Sequence, residues 1–159
     1  MKNQSPVLFL DIDGVLRVFP SAADSHPKTG FTARAISGLQ EIVASTACDI
    51  VLSSTWREEG MAALNKVLEF HGLGIAMSRI IGATPLLDSA DKPTREDEID
   101  CWLSDHRFKG RMAVLDDEIL EGDLRPWQVL TFQETGLTPR LAQRAIQLLK
   151  SGPVFGQRL

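Results

Sequence analysis

Two short acidic motifs stand out as residues that could do chemistry. The first is Asp11-Ile12-Asp13-Gly14. Residues two apart in an extended chain point the same way, so both carboxylates can face one pocket while Ile12 turns back into the core. One carboxylate can serve as nucleophile and the other as general acid toward a leaving oxygen. Like charges this close repel, which predicts a bound cation or a raised pKa on one of them. Gly14 permits a tight turn away from the strand. A plain acidic turn after a strand would show the same four residues, since Asp-Gly is common in turns. The second motif is Asp116-Asp117. Adjacent carboxylates at a buried strand end are costly unless something positive lies between them. Magnesium suits them, because it takes oxygen ligands and few carboxylates. A solvated acidic loop through Glu118 is the alternative.

Between these motifs lie a run of hydroxyls, Ser53-Ser54-Thr55, and the cations Lys92 and Arg95. A hydroxyl at a strand end can donate to a phosphate oxygen, though it can equally cap a helix. A cation at a helix start is mildly unfavourable for the helix dipole, which invites a functional reason for Arg95. Glu96, Asp97 and Glu98 offer it simple ion pairing instead.

The elements that must position these groups follow from hydrophobic patterning. Val7–Leu10, Ile50–Leu52 and Met112–Leu115 are short continuous apolar runs, each followed at once by one of the polar motifs. Such runs read as strands buried on both faces of a parallel sheet. Val129–Phe132 reads as a further strand, and Ile80-Ile81 as a short one. Apolar residues at helical spacing predict helices over 32–44, 58–70 and 94–106. Thr94 is a candidate N-cap with Asp97 three residues on. Thr138-Pro139 opens a last helix, with Pro at its first position. Residues 17–30 carry two Pro, a Gly and small polar residues and read as loop.

Strands alternating with helices predict an α/β fold: a Rossmann-like three-layer sandwich with a mostly parallel sheet. In such sheets ligands bind beyond the carboxyl ends of the strands. Three separate strands therefore deliver Asp11 and Asp13, Ser53 and Ser54, and Asp116 and Asp117 to one place. The length of 159 residues fits one domain over 1–159.

Composition bounds the function classes. Hydrophobic residues make up 43% and charged residues 24%, and the formal net charge is −4. No overall field draws the chain to nucleic acid or an anionic membrane, although a local basic groove is compatible with these totals. The longest apolar runs are about four residues, against roughly 20 for a membrane helix. The N-terminus has no long apolar core, so no secretory signal is expected and a cytoplasmic location is. Cys48 and Cys101 read as two buried, reduced thiols. His26, His71 and His106 have no zinc-like spacing.

The motifs, in this order, resemble the haloacid dehalogenase-like (HAD) superfamily. DIDGV at 11–15 is similar to its first motif, IVLSS at 50–54 to its second, a Lys or Arg before the last motif strand to its third, and AVLDD at 113–117 to its fourth. LFLDIDGVL at 8–16, VLSSTWR at 51–57, TREDEIDCWL at 94–103, VLDDE at 114–118 and GLT at 136–138 resemble more closely the stand-alone HAD domains related to Swiss Army knife RNA-repair proteins. The layout is also similar to the phosphatase half of polynucleotide kinase–phosphatase.

The resemblance implies a magnesium-dependent phosphatase. It would make Asp11 the nucleophile that forms an aspartyl phosphate, and Asp13 the general acid and then the base. Mg2+ would be held by the Asp11 carboxylate, the Asp13 backbone carbonyl and Asp116, with Asp117 holding a metal-bound water or exchanging roles with Asp116. Ser54, or Ser53 by a shift of one, would bind phosphoryl oxygens. Arg95 would neutralise phosphate, oriented by Glu98, with Lys92 as rival. Arg57 would contact substrate. Family caps insert after the first motif or between the second and third. Those segments here, 17–30 and roughly 72–92, are too short for a large cap domain. An open site suits a bulky phosphorylated substrate such as a nucleic-acid end or a phosphoprotein, with Arg17, Phe19, Phe31, Trp56 and Arg57 available for stacking and charge. A partner subunit could also cover it. A small-metabolite phosphatase or nucleotidase is the alternative within the enzyme class. A receiver domain would carry its acid pair early and its phosphorylated Asp mid-chain, the reverse of the order here. A non-catalytic descendant would be expected to lack Asp11 or Asp13.

Overall fold

A computed structural model describes residues 4–58, 60–88 and 92–156. Five parallel strands run in the order β3-β2-β1-β4-β5: β1 (Val7–Leu10), β2 (Asp49–Leu52), β3 (Ile80–Ala83), β4 (Gly110–Asp116) and β5 (Gln128–Leu130). A two-residue β6 (Val154–Phe155) pairs antiparallel with the start of β4. The fold is the predicted α/β Rossmann-like one. Its helices are α1 (Ala33–Thr46), α2 (Met61–Phe70), α3 (Gly74–Ser78), α4 (Arg95–Asp105) and α5 (Pro139–Ser151).

Alternation along the strands builds two cores. Leu8, Leu10, Ile50, Leu52, Ala113 and Leu115 point to one face, where α1, α2 and α5 cover them. Phe9, Val51, Met112 and Val114 point to the other, packed by Ile99, Trp102 and Leu103 of α4. Phe9 meets Trp102 edge-on at 5.4 Å between ring centroids. The chain winds outward from β1 to β2 and β3, then α4 carries it back across to β4 on the opposite side of β1. The strand order therefore reverses between β1 and β4, the place where such sheets open a crevice for ligands.

Three threonines start the long helices. Thr32 accepts from Ala35 N–H and Thr138 from Leu141 N–H, while Thr94 and Asp97 form a reciprocal capping box. Some expected boundaries move. The helix expected over 58–70 begins at Met61, because Gly60 takes a φ of +95° and residues 55–58 form a 3-10 turn. The strand expected over 129–132 ends at Leu130, with Phe132 exposed. Of the two thiols expected to be buried, Cys48 is buried but Cys101, on the rim of α4, is partly exposed. Among the described residues no helix is long and apolar enough to cross a membrane.

Candidate active site at the strand ends

Each of the five parallel strands is followed, or in β4 closed, by a buried polar residue: Thr84 after β3, Ser53 after β2, Asp11 after β1, Asp116 in β4 and Thr131 after β5. Backbone bonds carry the ladder to this row. Thr84 N–H donates to Leu52 O, Ser53 N–H to Leu10 O, Asp11 N–H to Leu115 O and Thr131 N–H to Asp116 O. Phe9 pairs in register with both Val51 and Val114. Two residues further on, the same alternation turns Asp11, Ser53 and Asp116 to the α4 face.

Asp11 is 4% exposed and Asp116 0%. Asp11, Asp116 and Asp117 each offer a carboxylate oxygen, and these oxygens lie within 4.8 Å of one another. Arg95, the first residue of α4, extends its side chain into the group, with Nε 3.2 Å from Asp116 Oδ2. That pair has the distance of an ion pair without the alignment of a hydrogen bond. Asp116 Oδ2 and, separately, Arg95 Nη1 are buried with no hydrogen-bond partner. The other Asp116 oxygen accepts Glu118 N–H at 2.9 Å, and Glu118 in turn accepts the Arg95 N–H. Burial raises the pKa of Asp116 to about 8, aided by the Asp11 charge and opposed by Arg95. Burial likewise raises Asp11 to about 6, against the pull of Arg95 and of the Ile12 N–H bond. Both shifts express the cost of holding anions together in a dry place. A hard divalent cation fits this donor set: three converging carboxylates, one with an orphaned oxygen.

The Asp13 carboxylate stands outside that trio and is far more open, with its side chain 40% exposed. Its Oδ1 accepts the Trp56 indole N–H at 3.3 Å and lies 3.5 Å from Arg17 Nε. Gly14 bends the chain with a φ of +83°, and the Asp117 carboxylate packs so closely on it that a Cβ would sit 2.3 Å from Oδ2. The turn is clamped from the β5 side, where the Thr131 hydroxyl donates to Gly14 O at 2.6 Å.

The two serines differ in their contacts. Ser53 Oγ is buried without a partner, whereas Ser54 Oγ accepts Trp56 N–H at 3.2 Å. Of the two rival cations, Arg95 enters the cluster and Lys92 is exposed on the approach to α4. Phe31, expected as a surface for stacking, is fully buried in the core beneath Trp56 and His71. The Arg57 side chain lies outside the described residues. Thr84 and Thr131 escaped the sequence reading, because a single Thr after a short strand carries no pattern of its own. Only the register brings them into the row.

A parallel sheet whose order reverses between two aspartate-tipped strands, with an arginine from the crossover helix, defines a HAD-like domain. The chain belongs to the family described as the HAD domain in Swiss Army Knife RNA repair proteins, whose model matches residues 7–142. Neither the curated proteins nor the solved structures contain a significant match. Membership in a HAD family suggests phosphohydrolase chemistry.

Proposed function

We propose that the protein is a magnesium-dependent phosphomonoesterase that works through an aspartyl-phosphate intermediate. The observation that carries this reading is the Asp11–Asp116–Asp117 trio with Arg95 paired into it. Asp11, Asp116, Asp117 and the Asp13 backbone carbonyl would hold Mg2+, which when bound offsets the charge of the carboxylates and of the phosphoryl oxygens. In the first half-reaction an Asp11 oxygen forms a bond to phosphorus as the bond to the leaving oxygen breaks. Asp13 gives its proton to that oxygen. In the second, Asp13 takes a proton from water, the water oxygen bonds to phosphorus, and the Asp11 carboxylate is released with inorganic phosphate. The separation of the two aspartates supports the division of labour. Asp11 is sealed in the charged cluster, while Asp13 stands at the rim where a leaving group departs.

Arg95 and the serine hydroxyls would hold the phosphoryl oxygens. Ser53 Oγ is buried and unpartnered, and Ser54 Oγ stands beside it, accepting from Trp56 N–H. The open surroundings suit a bulky substrate such as a nucleic-acid end. The test is hydrolysis of p-nitrophenyl phosphate with and without Mg2+, in wild type and Asp11→Asn. Turnover that needs both the metal and Asp11 is expected, and metal-independent turnover or an active Asp11→Asn protein refutes the mechanism. Comparison of 3′-phosphorylated oligonucleotides with nucleoside monophosphates then separates a nucleic-acid-end enzyme from a nucleotidase.

A further inference from the structure

We propose that Arg17, Phe19 and Trp56 form a stacking platform that binds the terminal nucleobase of a nucleic-acid end beside Asp13. The proposal rests on the reading of the site as a phosphatase, because that reading fixes where the leaving group lies. The group that receives the Asp13 proton must sit against Asp13, where Trp56 and Arg17 reach its carboxylate and Phe19 lies under Arg17. Trp56 donates its indole N–H to Asp13 Oδ1 at 3.3 Å, and Arg17 Nε lies 3.5 Å from the same oxygen. The Arg17 guanidinium carbon lies 4.7 Å from the centre of the Phe19 ring and 5.8 Å from that of Trp56. A guanidinium laid on an aromatic face is itself a flat surface on which a base can stack.

The platform is both reachable and fixed. The Arg17 side chain is 34% exposed, and Phe19 and Trp56 are partly exposed. Phe19 N–H bonds Gln133 O at 2.9 Å and Gly14 N–H bonds Arg17 O at 2.7 Å. Trp56 meets the buried Phe31 ring at 6.3 Å. Holding these groups before substrate arrives lowers the ordering cost of binding. The arrangement favours a nucleotide over an aryl phosphate such as phosphotyrosine. In an aryl phosphate the ring carries the leaving oxygen directly and is held close against the phosphoryl group. In a nucleotide the sugar spaces the base outward, to where the aromatic surface lies. Arg17 also supplies positive charge for the next phosphate along the strand, in a chain whose net charge is −4. Stacking tolerates any base, so no sequence preference is expected.

The test compares a short single-stranded oligonucleotide ending in a 3′-phosphate, and its 5′-phosphate counterpart, with the same molecules lacking the terminal base. Binding is read by fluorescence anisotropy at low ionic strength in Asp11→Asn protein, which holds the phosphate without turning it over. The base should tighten binding about 10-fold, within the range measured for single stacked bases. Phe19→Ala and Phe19→Leu should bring that ratio close to one. Trp56→Phe, which keeps a ring, should preserve most of it. The ratio compares two ligands on one protein preparation, so a variant that folds poorly does not distort it. Equal binding of the intact and abasic ends, no binding of either, a ratio indifferent to Phe19, or tighter binding of a phosphotyrosine peptide each overturns the platform. Turnover is measured separately in wild type. Base-dependent binding without turnover removes the phosphatase reading and leaves the platform standing, whereas turnover without base dependence does the reverse.

Discussion

Stripped of divalent metal by excess EDTA, the protein should lose stability as pH rises from about 4 to about 8. Asp11 and Asp116 have folded-state pKa values of about 6 and about 8, against 3.8 for the ordinary side chain. Across that window the folded state holds protons that the unfolded chain has released, so stability falls with rising pH. One proton held across one pH unit is worth about 1.4 kcal/mol. Asp116 alone would then contribute a loss of about 6 kcal/mol and Asp11 about 3 kcal/mol. The Asp11 charge is already part of the Asp116 shift, so the pair together should cost no less than the Asp116 share, at least about 6 kcal/mol. That is a large part of the 5–15 kcal/mol typical of a whole domain. At about 2–4 °C per kcal/mol for a chain of this size, the melting temperature should drop by at least about 12 °C. Scanning calorimetry in EDTA at a series of pH values measures it, with Asp116→Asn as comparator. The new amide will not suit Arg95 Nε, but that cost does not vary with pH and leaves the slope readable. Saturating Mg2+ should abolish most of the wild-type slope, because a ligand that binds only the folded state adds stability where the carboxylates are ionised. Parallel pH profiles for wild type and Asp116→Asn in EDTA would refute the argument.

Two further predictions concern the turn that carries Asp13. Gly14→Ala puts a methyl group 2.3 Å from Asp117 Oδ2 at a φ of +83°, so it should weaken Mg2+ binding at least 10-fold, measured by metal titration of turnover and by calorimetry. Thr131→Val removes the hydroxyl that satisfies the buried Gly14 carbonyl and should cost about 1–3 kcal/mol in denaturant unfolding while lowering kcat more than it changes KM, and Thr131→Ser should restore both.

The sequence made the acidic strand ends legible for a physical reason. A charge directly after an apolar strand is expensive, so it implies something that offsets it. Asp11, Asp13, Asp116 and Asp117 all carried that signal, and the strand–helix alternation sufficed to bring three strand ends together. Other parts were hidden because they depend on the path of the chain in space. Arg95 could be singled out by its place at a helix start, but its pairing with Asp116 depends on α4 crossing back over β1. The 3-10 turn before α2, the single-turn α3 and the two-residue β6 are too short to show a period. Phe31 and Trp56 are both aromatic residues near polar motifs, yet one is sealed in the core and the other bonds Asp13. Their types alone do not separate them.

The same two-residue period explains why the core and the site depend on each other. Phe9, Val51 and Val114 share the face packed by α4, and two steps later Asp11, Ser53 and Asp116 share it too. A slip of one residue between β1 and β4 would bury the wrong apolar set and point Asp11 away from Asp116 at once. Packing of Ile99, Trp102 and Leu103 against the sheet therefore does more than stabilise the fold. It fixes α4, and α4 fixes Arg95 against a buried carboxylate, Asp116, whose second oxygen lacks a hydrogen-bond partner. The apolar pattern sets the register, and the register decides which carboxylates converge.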